Sequence, residues 1–411
     1  MTGEKRGEIR KSNKLDRISY ELRGPIADKA SKMAREGIKI LALNTGNPPA
    51  FGFRAPQAII DAMTSSMLSA EAYSDSRGIP GAIEAIRKYE ESKGIPNLAY
   101  EDIYTGNGVS EMISVAVQAL IEDGDEILIP MPDYPLWTSV SRLSGAKVVH
   151  YVCDEQAEWN PDLDDIKKKV GPRTKAIVII NPNNPTGANY SKQVLLDILE
   201  VARENNLLVF SDEIYDRLVM DDLPHYSAAA LAPDLPVITF NGLSKSHMIP
   251  GFRCGWMCLS GDKSSAKSYI EGVHMLASMR LCANVPAQSV IEAGLADPYN
   301  CKQYTVPGGR IYEQREAICK AIDEIPGLSV VRPKAAFYMF PKIDAEKFHI
   351  TSDEKFVLDF LNEHHVLLTQ GKGFNWPTPD HFRIVYLPEA AELTAMGQHL
   401  KSFLATYSQE D

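Results

Sequence analysis

Short apolar β-type runs alternate with amphipathic helical stretches between residues 103 and 259, and this alternation leaves the chain few folds to choose from. Strand-like runs fall at 103–105, 126–130, 147–152, 175–180, 207–210, 237–240 and 255–259. Helical patterns separate most of them, at 109–121, 135–144, 162–170 and 191–205. The run 175–180 is nearly all apolar, as a strand covered on both faces must be. Such an order builds an α/β fold, with a mostly parallel sheet between two helical layers. A segment from near 264 to past 279 reads as one long helix. Beyond about 295 the pattern changes to two helices, 310–325 and 352–364, with short runs at 328–331, 337–340, 366–369 and 382–386. That change predicts a smaller α+β domain. The expected division is 1–49 as an arm and part of the small domain, 50–295 as the large domain, and 296–411 as the small C-terminal domain. With 411 residues, 44% of them hydrophobic, the chain can bury two cores.

Charge and composition remove several classes of function. The net charge is −11, which disfavours nucleic acid and anionic membrane surfaces as partners. The first 14 residues are polar and no apolar run is long enough to span a bilayer, so a cytoplasmic protein is expected. The six cysteines form no CxxC pair and no metal-finger spacing. They read as reduced, mostly buried thiols, and no metal is expected.

Ligands of open α/β sheets sit outside the carboxyl ends of the strands, and the polar clusters fall there. Gly106-Asn107-Gly108-Val109-Ser110 joins a strand to a helix, where backbone N–H groups can hold an anion. It is neither a Walker loop nor a full GxGxxG turn, because Glu111 takes the sixth position. Asn181-Pro182-Asn183-Asn184-Pro185-Thr186-Gly187 fixes an irregular backbone able to aim an amide. Asp212 stands at a strand end, where a buried carboxylate is costly unless it meets a cation, and Tyr215 follows three positions on. Lys245 follows the run 237–240 across a Gly-bearing turn, and Arg253 stands eight positions later. Alone, these two would pass for surface residues beside a loop. A strand-end lysine can instead form a Schiff base, and an arginine can grip a phosphate with paired N–H groups.

Asn-Pro-x-Asn-Pro-Thr-Gly, then Asp-x-x-Tyr, then Ser-Lys-(x)7-Arg, in that order, resembles the class I/II, fold-type I pyridoxal-phosphate aminotransferases. Within them the chain looks most like bacterial glutamate–pyruvate (alanine) aminotransferases. The likeness covers nearly the whole chain and is supported by stretches 20–25, 132–137, 371–374 and 381–387. It implies that Lys245 carries the cofactor covalently and shuttles a proton, and that Asp212 pairs with the pyridine nitrogen. Tyr215 and Asn184 would hydrogen-bond the ring oxygen, and Tyr134 would stack on the ring. Arg253, Ser244 and the N–H groups of Gly108, Val109 and Ser110 would hold the phosphate, joined by Tyr73 from the partner subunit of a homodimer. Arg383 would take the substrate carboxylate near Asn184 and the Gly46 backbone. Tyr20 and Arg23 are the candidates for a second, distal carboxylate. His247 reads as structural.

Two positions depart from the family pattern. Gly242 stands where many relatives have a hydroxyl residue, and Met248 where the alanine enzymes can carry arginine. The implied reaction is amino transfer between L-alanine and 2-oxoglutarate. A broad aromatic or branched-chain aminotransferase and a carbon–sulfur β-lyase share most of these motifs. A regulator fused to a DNA-binding module is disfavoured by the short polar arm.

Overall fold

An eight-stranded sheet runs through the middle of the computed structural model, which describes residues 9–18, 24–296 and 301–409. Its strands are β1 (Ile103–Asn107), β2 (Glu126–Met131), β3 (Lys147–Asp154), β4 (Asn160–Pro161), β5 (Thr174–Ile180), β6 (Leu208–Asp212), β7 (Val237–Gly242) and β8 (Cys254–Ser260). The spatial order is β1-β8-β7-β6-β5-β2-β3-β4. Strands β3, β2, β5, β6 and β7 are mutually parallel, β8 is antiparallel to both β1 and β7, and β4 is antiparallel to β3. This reversal matters for the site. It brings the amino end of β8 to the carboxyl edge of the sheet, with Cys254 opposite Asn107 and Gly255 opposite Gly242.

Both faces of the sheet are dry. Ile177, Ile179 and Val209 pack on one face with Ile83, Ile86, Leu195 and Ile198. Ala176, Val178, Ile180, Leu208 and Phe210 pack on the other with Met112, Ile113, Ala116 and Val273. Successive side chains of one strand thus enter two separate cores, which explains its unbroken apolar character.

A third core collects helices Arg310–Asp323, Asp353–His364 and Ala390–Thr406 over a small three-stranded sheet of Tyr338–Met339, Phe382–Val385 and Thr369–Gln370. Leu41–Ala42 pairs in parallel with Val366–Leu367, so part of the N-terminal region joins this body.

Two expectations need correction. The helix begun near 264 ends at Met279, and a separate helix spans Val285–Ala296. Leu281 between them has φ 69°, which no helix interior tolerates. The C-terminal part also holds a short helix, Lys302–Thr305, and a long one, Ala390–Thr406. The apolar spacing of Ala390–Thr406 (Leu393, Met396, Leu400, Phe403) is helical, but Gly397 weakens the pattern. A Cβ at Gly397 would lie 2.5 Å from the Ala321 side chain, so the glycine permits the close crossing with Arg310–Asp323. The Cys254–Cys258 stretch is extended as expected, and the six cysteines are free thiols, with Cys282 the one that is not fully buried.

Candidate active site

The carboxyl edge of the sheet opens onto a cavity of about 220 Å³. Asn107, Ile180, Asp212 and Gly242 end four strands at this edge, and the reversed β8 adds Arg253 just before its first residue. The cavity is lined by Lys245, Asp212, Tyr215, Asn184, Arg383 and Arg253, among others, with Tyr134, Val109, Ser110, Ser244 and Gly46 also on its wall.

Asp212 is the last residue of β6 and is 2% exposed. Trp137 donates its indole N–H to Oδ2 at 3.0 Å, and the Ile214 N–H lies 3.4 Å from Oδ1. Burial pushes its carboxyl up to about 6, against the lowering effect of the Trp137 bond. Among the described residues it has no ion-pair partner. A buried carboxylate in that position favours a ligand that brings positive charge.

Lys245 sits in the single-turn helix Leu243–Ser246 that follows β7 directly. Its Nζ donates to the Gly46 carbonyl at 2.9 Å and lies 5.8 Å from the centre of the Phe337 ring. Among the described residues no carboxylate pairs with it. Tyr215 is buried, and its hydroxyl donates to the Tyr338 hydroxyl at 2.8 Å. Burial and the neighbouring Tyr338 hold the Tyr215 phenol well above its ordinary range. The Asp212–Tyr215 segment is a strand end followed by a turn, so the two side chains share the cavity without being on one helix.

Arg383 is aimed with care. Nη1 donates to the Asn184 side-chain oxygen at 3.0 Å, Nη2 donates to the Asn44 carbonyl, and the guanidinium lies between the rings of Tyr338 and Phe374 at 4.6 and 4.5 Å. A planar cation held between two rings is oriented to meet a planar anion edge-on. Gly46 has to be glycine, because a Cβ there would lie 2.0 Å from the Tyr338 hydroxyl.

The other end of the cavity is built for an anion. Gly108 has φ 80° and precedes helix Val109–Leu120, whose first N–H groups face this end. Arg253 Nη2 donates to Ser110 Oγ at 3.1 Å and to the Asn107 carbonyl at 3.2 Å. A Cβ on Gly108 would come within 2.1 Å of that Nη2.

Lys245, Asp212, Tyr215, Asn184, Tyr134, Ser244, Arg253, Arg383, Val109, Ser110 and Gly46 therefore meet in one cavity, with Gly108 packed behind it. Tyr73 does not line it and is 78% exposed. Tyr20 and Arg23 lie outside the described residues. His247 is fully buried between Ser246 Oγ and the Gly294 carbonyl, a structural role. Met248 is buried in the core with Tyr215 and Phe337. A Cβ on Gly242 would meet the Cys254 carbonyl at 2.5 Å, so the β7–β8 pairing excludes a larger residue there.

Sequence reading assigned no role to Trp137 or Tyr338. Trp137 follows Tyr134 by three positions into a helix, a spacing that puts both on one side. Tyr338 lies in a short strand 123 residues from Tyr215, and no local pattern announces that contact.

The chain belongs to the class I and II aminotransferases, whose family model matches residues 38–399. It is 53% identical over 401 residues to the glutamate–pyruvate aminotransferase AlaA of Escherichia coli K12, covering 98% of this chain and 99% of that protein. The AlaA protein of Haemophilus influenzae is 55% identical over 399 residues, 97% of this chain and 99% of that protein. An aminotransferase structure from Escherichia coli superposes with a TM-score of 0.97 at 53% identity, over 98% of this chain and all of that one. An alanine aminotransferase from Pyrococcus furiosus gives 0.91 at 38% identity, over 96% of this chain and all of that one.

Proposed function

We propose that the protein is a pyridoxal-phosphate-dependent transaminase converting L-alanine and 2-oxoglutarate to pyruvate and L-glutamate. One observation carries this reading: Lys245, the buried Asp212 and Arg383 line a single cavity with an anion cradle at one end. The names of the relatives at 53% and 55% identity point to the same pair of substrates.

The residues suit the cofactor. The N–H groups of Gly108, Val109 and Ser110, with Ser244 and Arg253, match a phosphate. The carboxylate of Asp212 matches a protonated ring nitrogen, and the ring of Tyr134 offers a stacking face. When bound, pyridoxal phosphate supplies a carbonyl that condenses with amines and a ring that draws electrons from the neighbouring carbon. Lys245 would hold the cofactor through its amine and, once displaced by substrate, take and return the proton at the substrate α carbon. Asp212 would keep the ring nitrogen protonated. Tyr215 would donate to the ring oxygen, and Asn184 would too, since its own oxygen already accepts from Arg383. Arg383 would bind the substrate α-carboxylate in the two-pronged way its held guanidinium allows.

2-Oxoglutarate brings a second carboxylate. Among the described residues the cations lining the cavity are Lys245, Arg253 and Arg383, and each has a role above. Arg23, with Tyr20, is assigned to the distal carboxylate. A homodimer is proposed on the exposed Tyr73, Met275, Met279 and Leu281, gathered where Arg280 donates to the Ser76 carbonyl. In it Tyr73 would reach the phosphate of the partner's site. Residues 50–295 would form the cofactor-binding domain, and 296–411 with part of 1–49 the small domain. No helix among the described residues is long and apolar enough to cross a membrane, and a cytoplasmic location is proposed.

The test follows the absorbance of the cofactor-loaded protein. L-Alanine should bleach its long-wavelength band and 2-oxoglutarate should restore it. A spectrum unmoved by any amino acid would overturn the reading.

A further inference from the structure

Glu111 takes the position that a glycine would hold in a dinucleotide-binding turn, and the roles assigned above do not use it. It stands in the first turn of the helix whose amino end forms the anion cradle. Its carboxylate accepts the Asn107 backbone N–H at 2.7 Å and the Asn107 side-chain amide at 3.2 Å. The Asn107 side-chain oxygen accepts the Asn284 N–H at 3.0 Å, and its carbonyl accepts from Arg253 at 3.2 Å. All four polar atoms of Asn107 are thereby engaged, and the peptide leading into Gly108 is fixed from both sides.

Arg280 completes the arrangement. It caps the helix Lys267–Met279 and is mostly buried, its side chain 15% exposed. Nη1 donates to Glu111 Oε2 at 2.6 Å, while Nη2 donates to the Thr105 carbonyl at 2.7 Å and the Ser76 carbonyl at 3.1 Å. The charge of Glu111 needs this partner. A carboxylate one residue beyond Ser110 opposes any anion bound at the same helix end, since like charges in a partly dry site repel strongly. Arg280 neutralises that charge and leaves the carboxylate free to hold Asn107 in place.

We propose that Arg280 and Glu111 are a pair of positioning residues for cofactor retention: Glu111 fixes the Asn107–Gly108 turn, and Arg280 cancels the Glu111 charge that would otherwise repel the phosphate. The inference rests on reading the cavity as a pyridoxal-phosphate site. Neither residue touches the reacting atoms, so the effect belongs in cofactor affinity and not in turnover once the site is filled.

The experiment measures the dissociation constant of pyridoxal phosphate by equilibrium dialysis for the full chain, with thermal unfolding of each cofactor-free variant recorded beside it. Arg280→Met, which leaves Glu111 charged and unpaired, should weaken retention about tenfold or more. Glu111→Gln keeps an acceptor for Asn107 and should lose less. The double variant should bind better than Arg280→Met alone, because the repelling charge is gone. Arg280→Lys should recover part of the loss. Unchanged affinity in Arg280→Met with only a lowered melting temperature would overturn the proposal and leave a structural role. A double variant no better than Arg280→Met would overturn the charge-cancelling part. A wild-type protein that binds no pyridoxal phosphate would instead remove the cofactor reading, and this inference with it.

Discussion

Asp212 and Glu213 are adjacent carboxylates, both almost wholly buried, and they meet opposite surroundings. Glu213 accepts from the hydroxyls of Ser211 and Ser227, each at 2.9 Å, and pairs with Lys93 at 2.8 Å. Lys93 also reaches Glu90 at 2.7 Å and Asp216 at 3.3 Å. Asp216 accepts from Tyr89 at 2.6 Å and from Asn241 at 2.7 Å, and its carboxyl is held below the usual range: burial, the largest single effect, raises it, but Lys93, His225, Tyr89 and Arg217 together outweigh burial. Asp212, one residue before Glu213, has Trp137 and, among the described residues, no cation, and burial drives its carboxyl upward. The chain 212–216 thus turns Asp212 and Tyr215 toward the cavity and Glu213 and Asp216 toward a closed ionic cluster behind it. The closed side secures the geometry. The open side leaves one charge for a ligand to complete. Burial alone therefore does not mark a functional carboxylate; the missing counter-charge does.

Variants on the two sides should fail in different ways. Lys245→Ala should lose turnover by roughly 10⁴-fold or more while the protein stays folded and binds pyridoxal phosphate, as dialysis and steady-state rates would show. Lys93→Met strands three carboxylates together and should cost about 3–5 kcal/mol of stability in denaturant unfolding. The folded fraction of that variant should keep most of its turnover; a variant that is stable but inactive would erase the distinction. Asp212→Asn should lower kcat by about 10²-fold or more, because a neutral amide no longer holds the ring nitrogen protonated.

The same Asp212 change should raise the stability of the cofactor-free protein. Its folded value near 6 lies above the ordinary 3.8, so the folded state binds the proton more tightly than the unfolded state. The associated stability is present below about pH 4 and is lost as pH rises to about 6. Asparagine removes that loss, so the variant should gain up to about 3 kcal/mol over wild type at pH 7 in the cofactor-free state. Equal stability of the two proteins across this range would contradict the account of an uncompensated charge. The smallest effect is expected at Arg383→Lys. It keeps the charge but loses the planar fork between Tyr338 and Phe374, and should raise KM for alanine about tenfold.

The open side of this comparison was the more legible in the sequence. Asp212, Asn184 and Lys245 each stand a few residues beyond an apolar strand run, and the sheet edge gathers strand ends by topology. The reversal of β8, which puts Arg253 at that edge, has no local signature. The closed side was not legible. Lys93 and Glu213 are 120 residues apart, so their pairing depends on how a helix docks on the sheet. On the open side the contact of Tyr215 with Tyr338, 123 residues away, was hidden for the same reason of distance. Gly242 and Gly397 illustrate the same limit. Each is required by a backbone or side chain from a distant segment, visible only when that segment is in place.

The central claim, that the uncompensated side of this turn is completed by a cofactor attached at Lys245, is tested most directly by chemical trapping. The protein loaded with pyridoxal phosphate is reduced with borohydride, digested and mapped by mass spectrometry. The account predicts one phosphopyridoxyl adduct, on the peptide carrying Lys245, that is lost when L-alanine is added before reduction. An adduct on another lysine, or none, would contradict it.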